Sequence, residues 1–341
     1  MKQSRRNRFS ATVSCTHGGA VHSFARAGFL SAAARARSVR MVTVSSPSGP
    51  FRTRTAQTFG MTPASLRSPS FEAPFAGVRV PRGSLRSVVD LCTAAARVLP
   101  AGTAFSHVTA LRLLGVEVPW RLTDDDRVHV VAPQRRQRPQ RSNVVAHYCG
   151  QSALTLTTAH GLLVTSAAQT WLHLAHTLPP DDVVVLADAM TRRYAPATTV
   201  RELRRLTDAT FKMRGIARCR EAIDLVRPGT DSSMETRTRL LLVQAGLPCP
   251  HVNVPARDDA GRFLALPDLS YPRLRIAIEY DGDVHRTDPA TWRRDVERRQ
   301  RLEDAGWIIV TATADDVLRF PERLVRRVRE ARRRRLAPGY P

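Results

Sequence analysis

Around Arg227-Pro228-Gly229-Thr230 the patterning of the chain changes character, and this break constrains the fold more than any other feature. Proline and glycine in succession interrupt helix and strand alike. Before the break, apolar residues recur mostly at helical spacing. After it, the pattern reads helix, three strands, helix, strand, helix, which is an α/β order. The 341 residues leave room for about two domains at ~150 residues each. The segment 227–231 therefore reads as a linker between a region at 51–226 and a second domain at 232–335, with a short tail at 336–341.

The N-terminal side is predicted to be mainly α-helical. Residues 1–50 show no sustained periodicity and end in Ser45-Ser46-Pro47-Ser48-Gly49-Pro50, so they read as a disordered basic tail or a mis-assigned start, with Met41 and Met61 as later starts. The short pattern from Phe51 to Val80 suggests a degenerate helix-turn-helix with a wing. Helices are expected over Ser87–Leu99, Ser106–Leu114, Ser166–Leu178, Asp181–Arg193, Thr199–Thr207 and Ile216–Val226. Val128–Val131 and Val144–Tyr148 read as strands flanking the basic loop Gln134–Arg141.

The formal charge is +23, and residues 1–71 hold eleven basic residues and no acid. Such a balance favours a polyanionic partner such as nucleic acid. Nearly all of the basic residues are arginine, Lys2 and Lys212 being the only lysines. No uncharged apolar run approaches the ~20 residues of a membrane span, and Arg26 interrupts Phe24–Leu30, so neither a membrane segment nor a secretory signal is expected. The five cysteines never form a CxxC pair, which fits a reducing, cytoplasmic setting. No interface that would set an oligomeric state is legible.

In the second domain, helices are predicted over Ser233–Ala245, Ala290–Ala305 and Glu322–Arg335, and strands over His251–Ala256, Arg262–Ser270, Leu274–Asp281 and Trp307–Thr311. Carboxylates stand among apolar neighbours in this strand region. The period of two places Arg275, Ala277, Glu279 and Asp281 on one face of Leu274–Asp281, and Leu274, Ile276, Ile278 and Tyr280 on the other. A neighbouring strand would bring Asp268 alongside them. Such a cluster repels itself unless a proton or a cation intervenes, and a hard divalent cation satisfies it. Glu235, three residues after Ser232, reads equally as half of a capping box. Asp295, between Arg294 and Arg298 on a helix, reads as a solvated ion pair.

Pro267-Asp268, Ile276-Ala277-Ile278-Glu279-Tyr280-Asp281-Gly282 and His285, with Glu235 upstream and Asp295 and Gly306-Trp307 downstream, resemble a domain-of-unknown-function family. That family is similar to very-short-patch repair endonucleases of the PD-(D/E)XK superfamily. The resemblance covers roughly residues 231–335. It implies a restriction-endonuclease-like αβββαβ core and Mg²⁺-dependent hydrolysis of DNA phosphodiesters, with Mn²⁺ as a substitute. Asp268, Glu279 and the Tyr280 carbonyl would bind the metal, Glu235 would complete the carboxylate set, and Asp281 and His285 would handle protons. Asp281 stands where such nucleases carry lysine. Arg293, Arg294, Arg298 and Arg299 would follow the phosphate backbone.

Residues 51–226 resemble, more loosely, the antitoxins of abortive-infection type IV systems. The resemblance is carried by Phe51–Val80, by Phe105-Ser106-His107-Val108-Thr109-Ala110 with Gly115, and by Gly161–Ser166 before Thr170-Trp171-Leu172. It implies DNA binding or a toxin or regulatory partner. His173 stands where that pattern usually has Asp, and His173 and His176 lack a third ligand in the sequence. The alternative to an endonuclease is a DNA-binding regulator with an inactive nuclease-like domain.

Overall fold

The computed structural model of the chain describes residues 47–132, 134–151, 154–282 and 289–337. Strands β1 (Phe51–Arg52), β2 (Phe71–Glu72) and β3 (Val78–Pro81) form a small antiparallel sheet in the order β1-β3-β2. Between β1 and β2 the chain makes 3-10 turns at Thr53–Phe59 and Ser65–Arg67, where the sequence pattern had suggested a helix-turn-helix. The threonines supply a reason. Thr55 and Thr58 donate their hydroxyls to the carbonyls of Arg52 and Thr55, at 2.9 and 2.6 Å, and such local bonds compete with α-helix.

The next region is mixed α/β, its helices packed with a five-stranded sheet. Strands β4 (Ala104–Phe105), β5 (Val128–Ala132), β6 (Val144–Tyr148), β7 (Leu156–Ala159) and β8 (Leu162–Thr165) form a sheet in the order β6-β5-β4-β8-β7. Strands as short as β4, β7 and β8 carry too few residues for an alternation to stand out. Helices α1 (Val88–Ala96) and α2 (His107–Leu113) share a core with this sheet that includes Phe105, Ala110, Val130 and Val164. Helices α3 (Ala167–Leu174), α4 (Pro180–Met190), α5 (Val200–Ala209) and α6 (Ile216–Ile223) enclose a second core around Trp171, whose Nε1–H donates to the Val183 carbonyl at 2.8 Å. Ser87, Ser166 and Thr199 each cap a helix by accepting from the backbone N–H three residues on.

Beyond residue 231 come α7 (Ser233–Gln244), β9 (His251–Val252), β10 (Ala256–Arg257), β11 (Phe263–Ala265), β12 (Leu269–Tyr271), β13 (Ile276–Tyr280), α8 (Pro289–Asp304), β14 (Ile308–Ala312), α9 (Ala314–Leu318) and α10 (Pro321–Leu336). The main sheet runs β14-β13-β12-β9, with β13 antiparallel to β12 and parallel to β14. Its strand β13 is apolar on both faces: Ile276 and Ile278 join Leu242 of α7 and Val328 of α10, whereas Ala277 joins Leu302 of α8 and Trp307. The expected alternation holds, with β10 and β11 forming a separate hairpin.

The break at 227–231 is a packed joint. Gly229 turns with φ +92° and donates to the Thr191 carbonyl at 3.0 Å. Beyond it α7 lies on α4, where Arg239 and Asp188, both 0% exposed, form an ion pair at 2.7 Å. Thr236 and the backbone N–H of Arg227 also donate to Asp188, at 3.0 and 2.8 Å. Among the described residues, no helix is long and apolar enough to cross a membrane.

Candidate functional site

Asp268, Glu279, Tyr280 and Asp281 meet at the C-terminal end of β13, on the wall of an open cleft of about 740 Å³. Pairing of Leu269 with Ile278 brings Asp268 to this end, where its Oδ2 accepts the Tyr280 N–H at 2.8 Å. Asp281 is placed by its own backbone, which donates to the Ala312 carbonyl at 2.8 Å. Glu279 follows Ala277 on the α8 face of the strand. There Arg298 of α8 clasps it with both guanidinium nitrogens, at 2.7 and 3.2 Å.

The expected self-repulsion is answered in two ways. Burial first, and the charge of Glu235 second, push the Asp268 carboxyl up to about 7, so a proton compensates there. Arg298 compensates at Glu279, although burial still holds that carboxyl above its ordinary value. The guanidinium thus occupies the electrostatic role that a bound cation would take. The acidic oxygens form a hard donor set of the kind Mg²⁺ prefers, and a cation at Glu279 would compete with Arg298 for the charge of that carboxylate.

Glu235 sits in the first turn of α7 and is buried. Ser232 caps the helix, and Glu235 accepts from the Ser232 hydroxyl at 3.0 Å, the Asp231 N–H at 3.0 Å and Asn253 Nδ2 at 3.2 Å. Its carboxylate takes the Asp231 N–H where a capping box would take that of Ser232, and its charge acts on Asp268. Its carboxyl is raised chiefly by burial.

The four α8 arginines expected to follow a phosphate backbone differ in their surroundings. Arg298 is committed to Glu279, with Asp295 3.8 Å from its Nε, while Arg299 reaches Thr311 at 3.5 Å. Arg293 and Arg294 are exposed. His285 lies outside the described residues.

A second polar cluster, in the N-terminal lobe, was seen in the sequence only at His173 and His176. His107 stacks on His147 with ring centroids 3.6 Å apart and on His173 at 5.1 Å, and His129 joins His147 through a 3.0 Å contact of ring nitrogens. Burial holds His107 and His129 below the ordinary histidine range and lowers His147 and His173 to about 4. His176 does not chelate with His173, because its Nδ1 turns to the His173 carbonyl at 3.0 Å. The available signal was a histidine inside each of two apolar strands, His129 and His147, but no spacing pattern joins them to His107.

Uncharacterized protein Rv2248 of Mycobacterium tuberculosis (strain ATCC 25618 / H37Rv) is 30% identical to this chain over 201 residues, which cover 59% of the chain and 72% of the relative. The chain belongs to the family of that protein. Uncharacterized protein MT2308 of Mycobacterium tuberculosis (strain CDC 1551 / Oshkosh) matches with the same identity and the same shares. No family model matches the chain, and no solved structure gives a significant match.

Proposed function

We propose that the C-terminal lobe is a metal-dependent DNA endonuclease with a restriction-endonuclease-like core. The observation that carries this reading is the meeting of Asp268 and Glu279 on the wall of an open cleft, with Glu235 acting electrostatically on Asp268. The element order α7, β9, β12, β13, α8, β14 supports it, since the antiparallel run β9-β12-β13 and the parallel pair β13/β14 answer to an αβββαβ core.

Asp268 and Glu279, with the Tyr280 carbonyl, would hold a Mg²⁺ ion. When bound, it supplies polarisation of a phosphoryl oxygen and a water of lowered pKa. The Tyr280 N–H fixes the Asp268 carboxylate, and Glu235 raises the cost of leaving that carboxylate charged without a cation. Asp281 stands at the cleft to accept a proton in the position that otherwise belongs to lysine. Exposed Arg293 and Arg294 offer charge to a phosphate backbone.

One observation favours a second reading, a DNA-binding regulator that does not cut. The bidentate Arg298–Glu279 pair neutralises the carboxylate that metal binding needs, and the chain lacks the usual lysine. Incubating the full chain with supercoiled plasmid and Mg²⁺, Mn²⁺ or EDTA separates the two. The nuclease reading expects metal-dependent nicking that Asp268→Ala abolishes while fold and DNA affinity persist. Nicking that survives in Asp268→Ala and Glu279→Ala refutes that site. Folded wild-type protein that binds DNA in a salt-dependent manner with no cleavage in either metal supports the regulator.

A further inference from the structure

We propose that His107, His129 and His147 form a binding site for one divalent transition-metal ion of the Zn²⁺ class, with a coordination position open to the adjoining cavity. This site is separate from the carboxylate cluster and does not depend on nuclease activity.

Three elements build it. Strands β5 and β6 are parallel, with His129 opposite Val145 and Val131 opposite His147. The period of two therefore puts both histidines on one face of the sheet, diagonally adjacent. Helix α2 starts over that face, because the Ser106 N–H donates to the His129 carbonyl at 3.0 Å and the His129 N–H donates to Thr109 Oγ1 at 2.8 Å. His107 opens the helix with φ +52°, a left-handed conformation unusual for a residue with a β-carbon. It lays its ring directly on His147.

The ligand atoms of the three histidines lie within 4.8 Å of one another. A tetrahedral zinc ion at ~2.0–2.1 Å from each nitrogen needs them about 3.4 Å apart. His129 Nδ1 and His147 Nε2 are already 3.0 Å apart, and metal binding turns the His107 ring out of its stack on His147 so that its lone pair meets theirs.

Outer partners orient two of the rings. Asp125 Oδ2 lies 3.0 Å from His129 Nε2, so that nitrogen carries the proton and Nδ1 presents a lone pair to the cluster. Ser106 Oγ lies 3.0 Å from His107 Nδ1, which leaves Nε2 as the candidate ligand atom. The contact between His129 and His147 requires one bare nitrogen, so the pair is not doubly protonated.

A closed core of satisfied histidines is the competing description. Against it, the buried His173 Nδ1 has no hydrogen-bond partner, and His107, His147 and His173 all line a cavity of about 440 Å³. Cys149 is on the same cavity wall, but its thiol donates to Gln151 Oε1 at 3.2 Å. Three imidazoles select zinc, cobalt, nickel or copper over magnesium and calcium, which prefer oxygen.

The test uses tag-free full-length protein titrated with Co²⁺ as an optical probe and with Zn²⁺ by calorimetry. One ion per chain is expected, with visible absorption of four-coordinate Co²⁺, displaced by Zn²⁺ and not by Mg²⁺. His107→Asn, which suits the left-handed backbone, and His147→Ala, on the edge strand, should each weaken uptake by at least about tenfold, whereas Asp268→Ala should not change it. X-ray absorption of the zinc-loaded wild type should count three imidazoles, and this needs no variant to fold. Absence of stoichiometric uptake, fewer than three imidazoles, or unchanged affinity in both folded histidine variants would overturn the site.

Discussion

Replacing Arg298 with methionine tests whether the guanidinium stands in for a cation at Glu279. The substitution keeps the apolar stem and removes two charge-assisted hydrogen bonds to a buried carboxylate. Hydrogen bonds to charged groups contribute roughly 1.5–3 kcal/mol each. The Arg298 side chain is 32% exposed, so solvent recovers about half of that and leaves a net loss of about 1.5–3 kcal/mol. For a chain of this size the loss lowers the melting temperature by roughly 2–4 °C.

Mg²⁺ at about 100 times its dissociation constant returns ~2.7 kcal/mol, enough to restore the variant. In the wild type part of that gain is spent displacing Arg298, so the metal-induced shift is smaller. Thermal melts of both proteins across a Mg²⁺ series, with Ca²⁺ as a second hard cation, read the difference directly. Equal shifts in the two proteins, or a variant as stable as the wild type without metal, would refute the reasoning.

Asp268→Asn should gain stability relative to the wild type as pH rises. The Asp268 carboxyl is raised from 3.8 to about 7, so its contribution to folding is full below about 4 and is lost as pH passes about 7; the asparagine escapes that loss. Urea midpoints at pH 5 and pH 8 check this, and a gap that shrinks with pH contradicts it. Asp188→Ala strands Arg239 without a counter-charge and should cost about 3–5 kcal/mol, whereas Asp188→Leu with Arg239→Met should recover most of it; chemical denaturation of the single and double variants measures both. Gly215→Ala should destabilise by at least about 1–3 kcal/mol in the same assay, because φ is +87° and the new β-carbon would meet the His176 backbone nitrogen at 2.6 Å.

The parts of the fold that were readable are those with local causes. A serine or threonine three residues before an acid or amide marks the starts of α1, α3, α5 and α7, and the structure uses each as a cap. The carboxylates of β13 stood out because an ionisable group in an apolar strand is costly. Strands β4, β7 and β8 were hidden by their length, and the sheet at 51–81 by strands of two to four residues. Arg298 was assigned to phosphate because sequence spacing shows that it lies on a helix and not that Glu279 faces that helix. The histidine cluster was invisible for the same reason: β5, β6 and α2 meet only through the sheet register.

The joint between the lobes and the candidate site share residues. Helix α7 carries Glu235 in its first turn and Arg239 one turn later, so the contact to α4 and the electrostatic partner of Asp268 belong to one rigid segment. Asn253 ties them again, donating through Nδ2 to the Gly229 carbonyl at 2.9 Å and to Glu235 at 3.2 Å, while Gly229 itself holds Thr191 just beyond α4. Rotating α7 against α4 must therefore break a fully buried ion pair before it moves Glu235. A turn that the sequence presents as a flexible separator instead fixes where the third carboxylate stands.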